Sequence, residues 1–527
     1  MNRRAVIYVV SALSIVIGVS ILTSSPVAWL MGDDTRTISL LAISAVIPMV
    51  FGGIGILLTR SKAVNLGVRE GFGIVTFGWL VASIFGAIPF MLISDLSWYD
   101  AFFETMSGFT TTGASVLDSN LVLASGEKLV DGIPQLPDGL LYWRSMTHWL
   151  GGMGIVVLSL AIIPFLGIGG QSLYNAEVPG PTSDQLTPRI ASSAKILWAV
   201  YVLLTIVETG LLWAGGMPLF DSWCHTCGTM ATGGFSTKQA SIGHYDSAYF
   251  DGVITLFMFL AGCNFVLHYK ALRGKPLFYF KDEEWRFYTM VTVAATLTIA
   301  AGLMAKNDSI ILTTGKEVAP TLWNALRFSS FQVASILTTT GYATADFDLW
   351  IPYAQLVLVL LMFTGGCGGS TGGGMKNSRV VLLLKYGQTQ LKRCLFPNAL
   401  SNVRLSNARI SNTTVHKTLG FFFLFVTLFV VFTFIISITE AGNPNCRPAA
   451  AALEGQTLSM ECDIVTAATS SIACLANIGP GLGRVGPTSS YSWMSPLGKI
   501  VLTFAMLLGR LELYTVLVIF LPSFWKK

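Results

Sequence analysis

Charge is scarce in this sequence. Asp, Glu, Lys and Arg together make up 12% of 527 residues, where soluble domains carry about 25%. So few charges do not cover the surface of a water-soluble particle, while hydrophobic residues reach 53% and Phe alone fills 33 positions. The chain reads as an integral membrane protein. Histidine is scarcer still: five residues, none at metal-ligand spacing. Few acids fall inside the apolar stretches. Glu208 is the main one besides Glu512 and has no catalytic partner in the sequence, so the chain does not read as an enzyme. No basic, aromatic-interleaved stretch points to nucleic acid, and the ten-residue alternating segments of an outer-membrane barrel are missing. Eight cysteines in so long a chain define no disulfide framework. Cys224-His-Thr-Cys227 lacks a second Cys/His pair to complete four ligands and reads as packing on one helix face.

What the chain has in quantity is long apolar segments, ten of them, near 5–30, 38–58, 71–94, 140–166, 191–214, 248–268, 286–304, 351–383, 415–438 and 496–521. Each is long enough for a helix crossing roughly 30 Å of hydrocarbon. The first is too long for a signal-peptide core and reads as a membrane helix. Lys and Arg concentrate in cytoplasmic connections. Arg3 and Arg4, then Arg60, Lys62 and Arg69, then the stretches 269–286 and 376–417 lie inside on this rule, as do Lys526 and Lys527. Asp33 and Asp34, and Glu440, Glu454, Glu461 and Asp463, mark outer connections. Both termini are therefore expected in the cytoplasm. Cys446 and Cys462 share the last outer connection, where an oxidising compartment permits a disulfide.

Four outward connections are too short to span and too apolar for ordinary loops. They read as re-entrant segments, because non-helical backbone at membrane depth survives only where it lines a wet cavity. Aligned on one glycine they form an internal repeat: Thr110-Thr111-Thr112-Gly113-Ala114-Ser115, Met230-Ala231-Thr232-Gly233-Gly234-Phe235, Thr338-Thr339-Thr340-Gly341-Tyr342-Ala343 and Ala476-Asn477-Ile478-Gly479-Pro480-Gly481. The helix after each loop repeats a small-residue site: Leu150-Gly151-Gly152, Leu260-Ala261-Gly262, Thr364-Gly365-Gly366 and Leu508-Gly509-Arg510. Four such units can surround an axis as four subunits do in a tetrameric channel. A ring of backbone carbonyls then replaces the water shell of an alkali cation, with glycine supplying the backbone angles and each short helix aiming its negative end at the axis.

The motif Phe-Thr-Thr-Thr-Gly-Ala-Ser, its three companion loops and Gly365-Gly-Cys-Gly-Gly-Ser-Thr-Gly-Gly-Gly374 resemble the Trk/Ktr/HKT superfamily of potassium transporters. The resemblance implies an all-α integral membrane protein of the bacterial inner membrane, with four helix–pore-loop–helix repeats around a pseudo-fourfold pore. An N-terminal hairpin would occupy 1–69, and the repeats 70–190, 191–284, 285–412 and 413–527. It implies a K⁺ filter at Thr111, Thr112 and Gly113, at Ala231, Thr232 and Gly233, at Thr339, Thr340 and Gly341, and at Asn477, Ile478 and Gly479, with K⁺ as transported ion and no cofactor bound by this chain. Relatives preferring Na⁺ tend to carry Ser at the first glycine, so Gly113 favours K⁺. The fourth loop departs from the pattern, with Asn477-Ile478 in place of the Thr pair and Pro480 following.

The resemblance also implies a gate. Gly365, Gly366, Gly368, Gly369, Gly372, Gly373 and Gly374 would form an intramembrane loop, with Arg510 just below it as a cationic barrier. So many glycines lose too much backbone entropy to stay helical. As a nucleotide loop the stretch fails, because Met375 intervenes before Lys376. Lys376 reads equally as a cytoplasmic anchor. Gly481-Leu-Gly483-Arg-Val-Gly486 matches a dinucleotide fingerprint by letters only, with no strand before it. Glu104 reads as structural. The expected partners are a second copy of the chain, a cytosolic ring of nucleotide-binding regulatory proteins of the TrkA type, and the bilayer. The basic, acid-free segment 376–417 suits the docking face, though positive-inside anchoring alone would explain it. The rival reading is a secondary transporter of another solute, or of Na⁺ through a related pore. Such folds use inverted repeats, whereas every glycine loop here faces one way.

Overall fold

The computed structural model describes residues 2–59, 67–154, 190–306, 309–397, 403–405, 408–443, 446 and 463–526. The architecture is helical and multi-spanning. Two antiparallel hairpins, Ile310–Ile311 with Glu317–Val318 and Arg404–Leu405 with Ala408–Arg409, are its only paired strands among the described residues. Helices Arg3–Leu22 and Ser24–Met31 form the first span, and Thr35–Thr59 returns beside it. The turn is closed by Gly32 at φ 89° and by Asp34, whose carboxylate accepts the Thr37 N–H at 3.1 Å. Small residues let the two backbones approach, since a Cβ on Gly52 or Gly55 would collide with Ser11. Val68–Ile93 packs against the same first helix.

Six described helices are long and apolar enough to cross a membrane, or up to eight if each bent pair counts as one span. The segments expected at 248–268, 351–383 and 496–521 are not single helices. Ala248–Ala261 and Phe265–Leu272 meet at 103°, and Pro496–Arg510 and Leu513–Phe520 at 116°. Pro352–Met362 stops, and helix resumes only at Asn377–Leu395. Of the segment 140–166, helix Asp138–Gly152 is seen, and 155–189 lie outside the described residues. Two of these helices end at close crossings that need glycine. A Cβ on Gly151 would strike the Phe109 carbonyl, and one on Gly509 the Leu475 carbonyl. Each of these two helices ends where it crosses the end of a short one.

Those short helices are Trp98–Phe109, Leu219–Met230, Leu322–Leu337 and Ile464–Leu475. Ser97, Thr321 and Asp463 cap three of them at the N-terminus. Buried ion pairs fasten them to their surroundings. Glu104 of the first binds Arg144 at 2.7 Å, which bears out its structural reading. Asp100 binds Lys499 of the last long helix at 2.6 Å, with side chains only 3% and 4% exposed. Arg327 of the third short helix binds Asp251 at 2.7 Å.

Removing one partner of a buried pair strands the other charge. Asp100→Ala is therefore expected to cost about 3–5 kcal/mol, read by thermal unfolding of the purified protein. Asp100→Leu with Lys499→Met should regain most of that loss, and an unchanged melting temperature for Asp100→Ala would contradict the pair's importance.

Candidate functional site

Each short helix runs into a loop with the same backbone course. The N–H groups of Thr112, Gly233, Thr340 and Ile478 reach back five residues to the carbonyls of Ser107, Gly228, Ser335 and Ala473 at 2.8–2.9 Å. The residue before each is left-handed: Thr111 (φ 53°), Thr232 (54°), Thr339 (63°) and Asn477 (57°). So is the residue after: Gly113 (76°), Gly234 (81°), Gly341 (85°) and Gly479 (98°). A β-branched residue in this region is an outlier costing of order 1–3 kcal/mol. Three threonines hold it only because the packing around them leaves no alternative.

This pattern corrects the alignment of the second loop by one residue. The glycine equivalent to Gly113, Gly341 and Gly479 is Gly234, and Gly233 takes the place held by Thr112, Thr340 and Ile478. Ala231 falls back to the cap of helix Leu219–Met230, matching Thr110, Thr338 and Ala476. Two adjacent glycines made either register fit the letters; only the hydrogen bonds separate them.

The four loops touch in sequence order and close on themselves. A Cβ on Gly113 would meet the Gly233 carbonyl oxygen, one on Gly234 the Thr340 oxygen, one on Gly341 the Ile478 oxygen, and one on Gly479 the Thr112 oxygen at 2.6 Å. The last contact joins the fourth loop to the first. Bracing differs from loop to loop. In the first and third, paired hydroxyls bond each other, Thr110 to Thr112 at 2.8 Å and Thr338 to Thr340 at 2.7 Å. The fourth lacks that pair. There the Asn477 amide donates to Thr112 Oγ1 and to the Met506 carbonyl, both at 2.9 Å, and the Tyr491 hydroxyl donates to the Gly479 carbonyl at 2.7 Å. The second loop lies against His148.

The glycine-rich stretch sits directly against this ring. Gly372 and Gly373 approach the carbonyls of Thr338 and Ala476, and the Gly373 N–H donates to Thr339 Oγ1 at 2.6 Å. Gly369 and Gly374 are left-handed, at φ 74° and 63°. Glu284 accepts the N–H groups of Gly368 and Ser378, each at 2.7 Å, and Asn377 donates to the Gly365 carbonyl at 2.6 Å. The Gly366 carbonyl accepts the Asn377 N–H at 3.1 Å. Lys376 is 3% exposed and its ammonium donates to the Gly372 carbonyl, so it is no cytoplasmic anchor.

Arg510 gathers the pieces. It does not lie within a continuous last span but is the final residue of helix Pro496–Arg510, just before the bend. Its guanidinium donates to the Thr371 carbonyl of the glycine-rich stretch (2.8 Å), to Thr111 Oγ1 of the first loop (2.9 Å), and to the Gly151 and Gly152 carbonyls (2.6 and 3.1 Å). Glu512, two residues on, instead pairs with Arg379. No motif marked Glu284 or Asn377 as supports of this segment: Glu284 acts on backbone 84 and 94 residues away, and Asn377 reaches back across the glycine-rich stretch itself.

The remaining motifs fall elsewhere. Cys224 and Cys227 are buried free thiols on helix Leu219–Met230. Gly481 to Gly486 form a turn in which the Gly481 N–H donates to the Val485 carbonyl at 2.6 Å. Cys446 is disulfide-bonded, and Cys462 lies outside the described residues, as do Arg60, Lys62, Glu454 and Glu461.

Comparison with known proteins places this geometry. The TrkH family model, described as a cation transport protein, matches residues 39–527. The chain is 38% identical over 474 residues to the Trk system potassium uptake protein TrkH of Salmonella typhimurium, covering 89% of this chain and 88% of that one. It is 36% identical to the TrkH of Halomonas elongata over the full length of both, and 34% identical to TrkG of Escherichia coli over 92% and 91%. The crystal structure of the potassium transporter TrkH from Vibrio parahaemolyticus superposes with a TM-score of 0.82, at 32% identity and complete coverage of both chains.

Asn477→Leu leaves the buried Thr112 hydroxyl and Met506 carbonyl short of a donor. A destabilisation of about 1–3 kcal/mol is expected, measured as a lower thermal midpoint. An unchanged midpoint would contradict its bracing role.

Proposed function

The chain belongs to the TrkH family of cation transport proteins, and from that premise we propose that it is a potassium-uptake membrane subunit conducting K⁺ through one filter built by all four loops. The observation that carries the reading is the closed cycle of glycine-to-carbonyl contacts, which brings four equivalent backbone turns to one centre. Alternating left-handed residues make this course possible, and a ring of carbonyl oxygens there replaces the hydration shell of a bare cation. In the corrected register the ligands come from Thr111 and Thr112, Thr232 and Gly233, Thr339 and Thr340, and Asn477 and Ile478. Gly113, Gly234, Gly341 and Gly479 form the turn that follows. The names of the curated relatives, potassium uptake proteins, point to the same ion. On this reading residues 1–69 are a hairpin outside the pore, and 70–190, 191–284, 285–412 and 413–527 are its four repeats.

The stretch 365–374 with Arg510 is the gate. Its support is geometric: the stretch abuts the ring, and one guanidinium spans the ring, the stretch and a helix end. The positive charge opposes cation passage while its hydrogen bonds hold the stretch in place. Opening requires those bonds to exchange, so a partner that pulls on the following helix opens the path. Helix Asn377–Leu395 leads directly from the gate, and its end exposes Leu391, Leu395 and Phe396 among Lys392 and Arg393. That apolar and basic end suits a cytosolic, nucleotide-binding regulatory ring. A homodimer in the bacterial inner membrane, with both termini cytoplasmic, completes the proposal.

Cation flux into proteoliposomes tests it. K⁺ flux should exceed Na⁺ flux, and Gly113→Ser should lower the ratio; equal fluxes in the parent would defeat the filter reading. A unit charge a few ångströms from a monovalent ion is worth roughly 1–3 kcal/mol in partly screened surroundings. Arg510→Ala, or deletion within 365–374, should therefore raise partner-free flux about tenfold, and no rise would remove the gate.

A further inference from the structure

Resting on the filter reading above, we infer that His148 is a positioning residue for the second filter loop, occupying the space left by the side chain that Gly233 lacks. Three of the four loops carry a side chain at this position, Thr112, Thr340 and Ile478, and all three are fully buried. The second carries none. A Cβ built on Gly233 would lie 2.6 Å from the imidazole carbons of His148, so the ring is packed flat on the glycine.

The helix that supplies the imidazole is anomalous at the matching place. Counting three residues back from the repeated small residue (Gly151, Ala261, Gly365 and Gly509) gives His148, Met258, Met362 and Met506. Three repeats place a methionine there and one a histidine. The exception on the helix of the first repeat faces the exception in the loop of the second. A large polar ring and a missing side chain thus occur together.

Hydrogen bonds define what the ring does. His148 Nε2 accepts the N–H of Phe235 at 3.1 Å, and a backbone amide can only donate, so this nitrogen carries no proton. The other nitrogen therefore bears the hydrogen and donates to the Gly108 carbonyl at 2.7 Å. Gly108 belongs to the last turn of the first short helix and Phe235 follows Gly234 in the second loop, so one neutral imidazole ties two repeats together behind the filter. Phe235 is clamped from both sides. The imidazole stacks on it at 4.0 Å between centroids, and the Arg144 guanidinium lies 3.6 Å from its ring centre. Arg144 also donates to the Ser236 carbonyl at 2.8 Å. Arg144 and His148 stand four residues apart on helix Asp138–Gly152 and so share one face. The paired hydroxyls that brace the first and third loops are replaced in the second by this face of a neighbouring repeat.

The test is the K⁺/Na⁺ flux ratio in proteoliposomes at matched protein amount. His148→Met leaves the Phe235 N–H unpaired and should lower the ratio about tenfold, the size of one buried hydrogen bond left unmade. His148→Gln, which keeps one donor and one acceptor, should retain most of it. Gly233→Thr, which overlaps the ring, should also lower the ratio, and His148→Met with Gly233→Thr should recover part of that loss by giving this pair the residues found in other repeats. A parent-like ratio for His148→Met overturns the inference. If that variant does not accumulate, a double variant no better than Gly233→Thr alone overturns it instead. A parent protein that does not distinguish K⁺ from Na⁺ removes the filter reading itself, whereas a selective parent with indifferent His148 variants removes only this inference.

Discussion

The constraint on which the structure depends is that no backbone polar group at membrane depth goes without a partner. Helices Asp138–Gly152 and Pro496–Arg510 stop where Gly151 and Gly509 cross the ends of short ones, and each stop frees carbonyls. The chain answers with side chains and backbone groups brought from elsewhere. Arg510 takes the Gly151 and Gly152 carbonyls. The Cys367 N–H takes the Gly262 carbonyl at 2.8 Å. Glu284 takes the Gly368 N–H of the glycine-rich stretch and the Ser378 N–H of the helix after it, and Lys376 and Asn377 take two of the stretch's carbonyls. The positions of the buried charges follow from where regular helix has been given up.

That arrangement also explains how an irregular segment is held in one place. Gly365 to Gly374 bury little side-chain surface of their own, so few apolar contacts lock them. They are held by a small number of hydrogen bonds to named groups, several of them charge-assisted and stronger than neutral ones. Most of those partners sit at helix ends, Glu284 and Asn377 at the start of theirs and Arg510 at the close of its own.

The ring of loops has repeating backbone and non-repeating support. The hydrogen-bond course from each short helix is the same four times, because a left-handed residue on either side of the central one leaves the chain few alternatives. Behind it, hydroxyl pairs serve two loops, an amide and a phenol a third, and an imidazole with a guanidinium the fourth. A single chain is free to do this where four identical subunits are not. Ion pairs join distant parts of the chain around the ring, Asp100 to Lys499 and Asp251 to Arg327.

Much of the fold was legible in the sequence, because hydropathy and repetition are properties of short windows. Scarce charge and long apolar segments pointed to a multi-spanning membrane protein, and the family comparison agrees; four Thr- or Asn-bearing glycine loops pointed to an internal repeat. What only the tertiary structure decided was contact between distant windows. The register of the second loop hung on whether Gly233 or Gly234 turns left-handed, and the letters around two adjacent glycines are the same either way. The bends after Ala261 and Arg510 were invisible, since hydropathy is blind to a change of direction. His148 showed no metal spacing and so no role, because its partners, Gly108 and Phe235, lie 40 and 87 residues away. Composition fixes which groups are apolar; closure of the ring determines which polar group meets which.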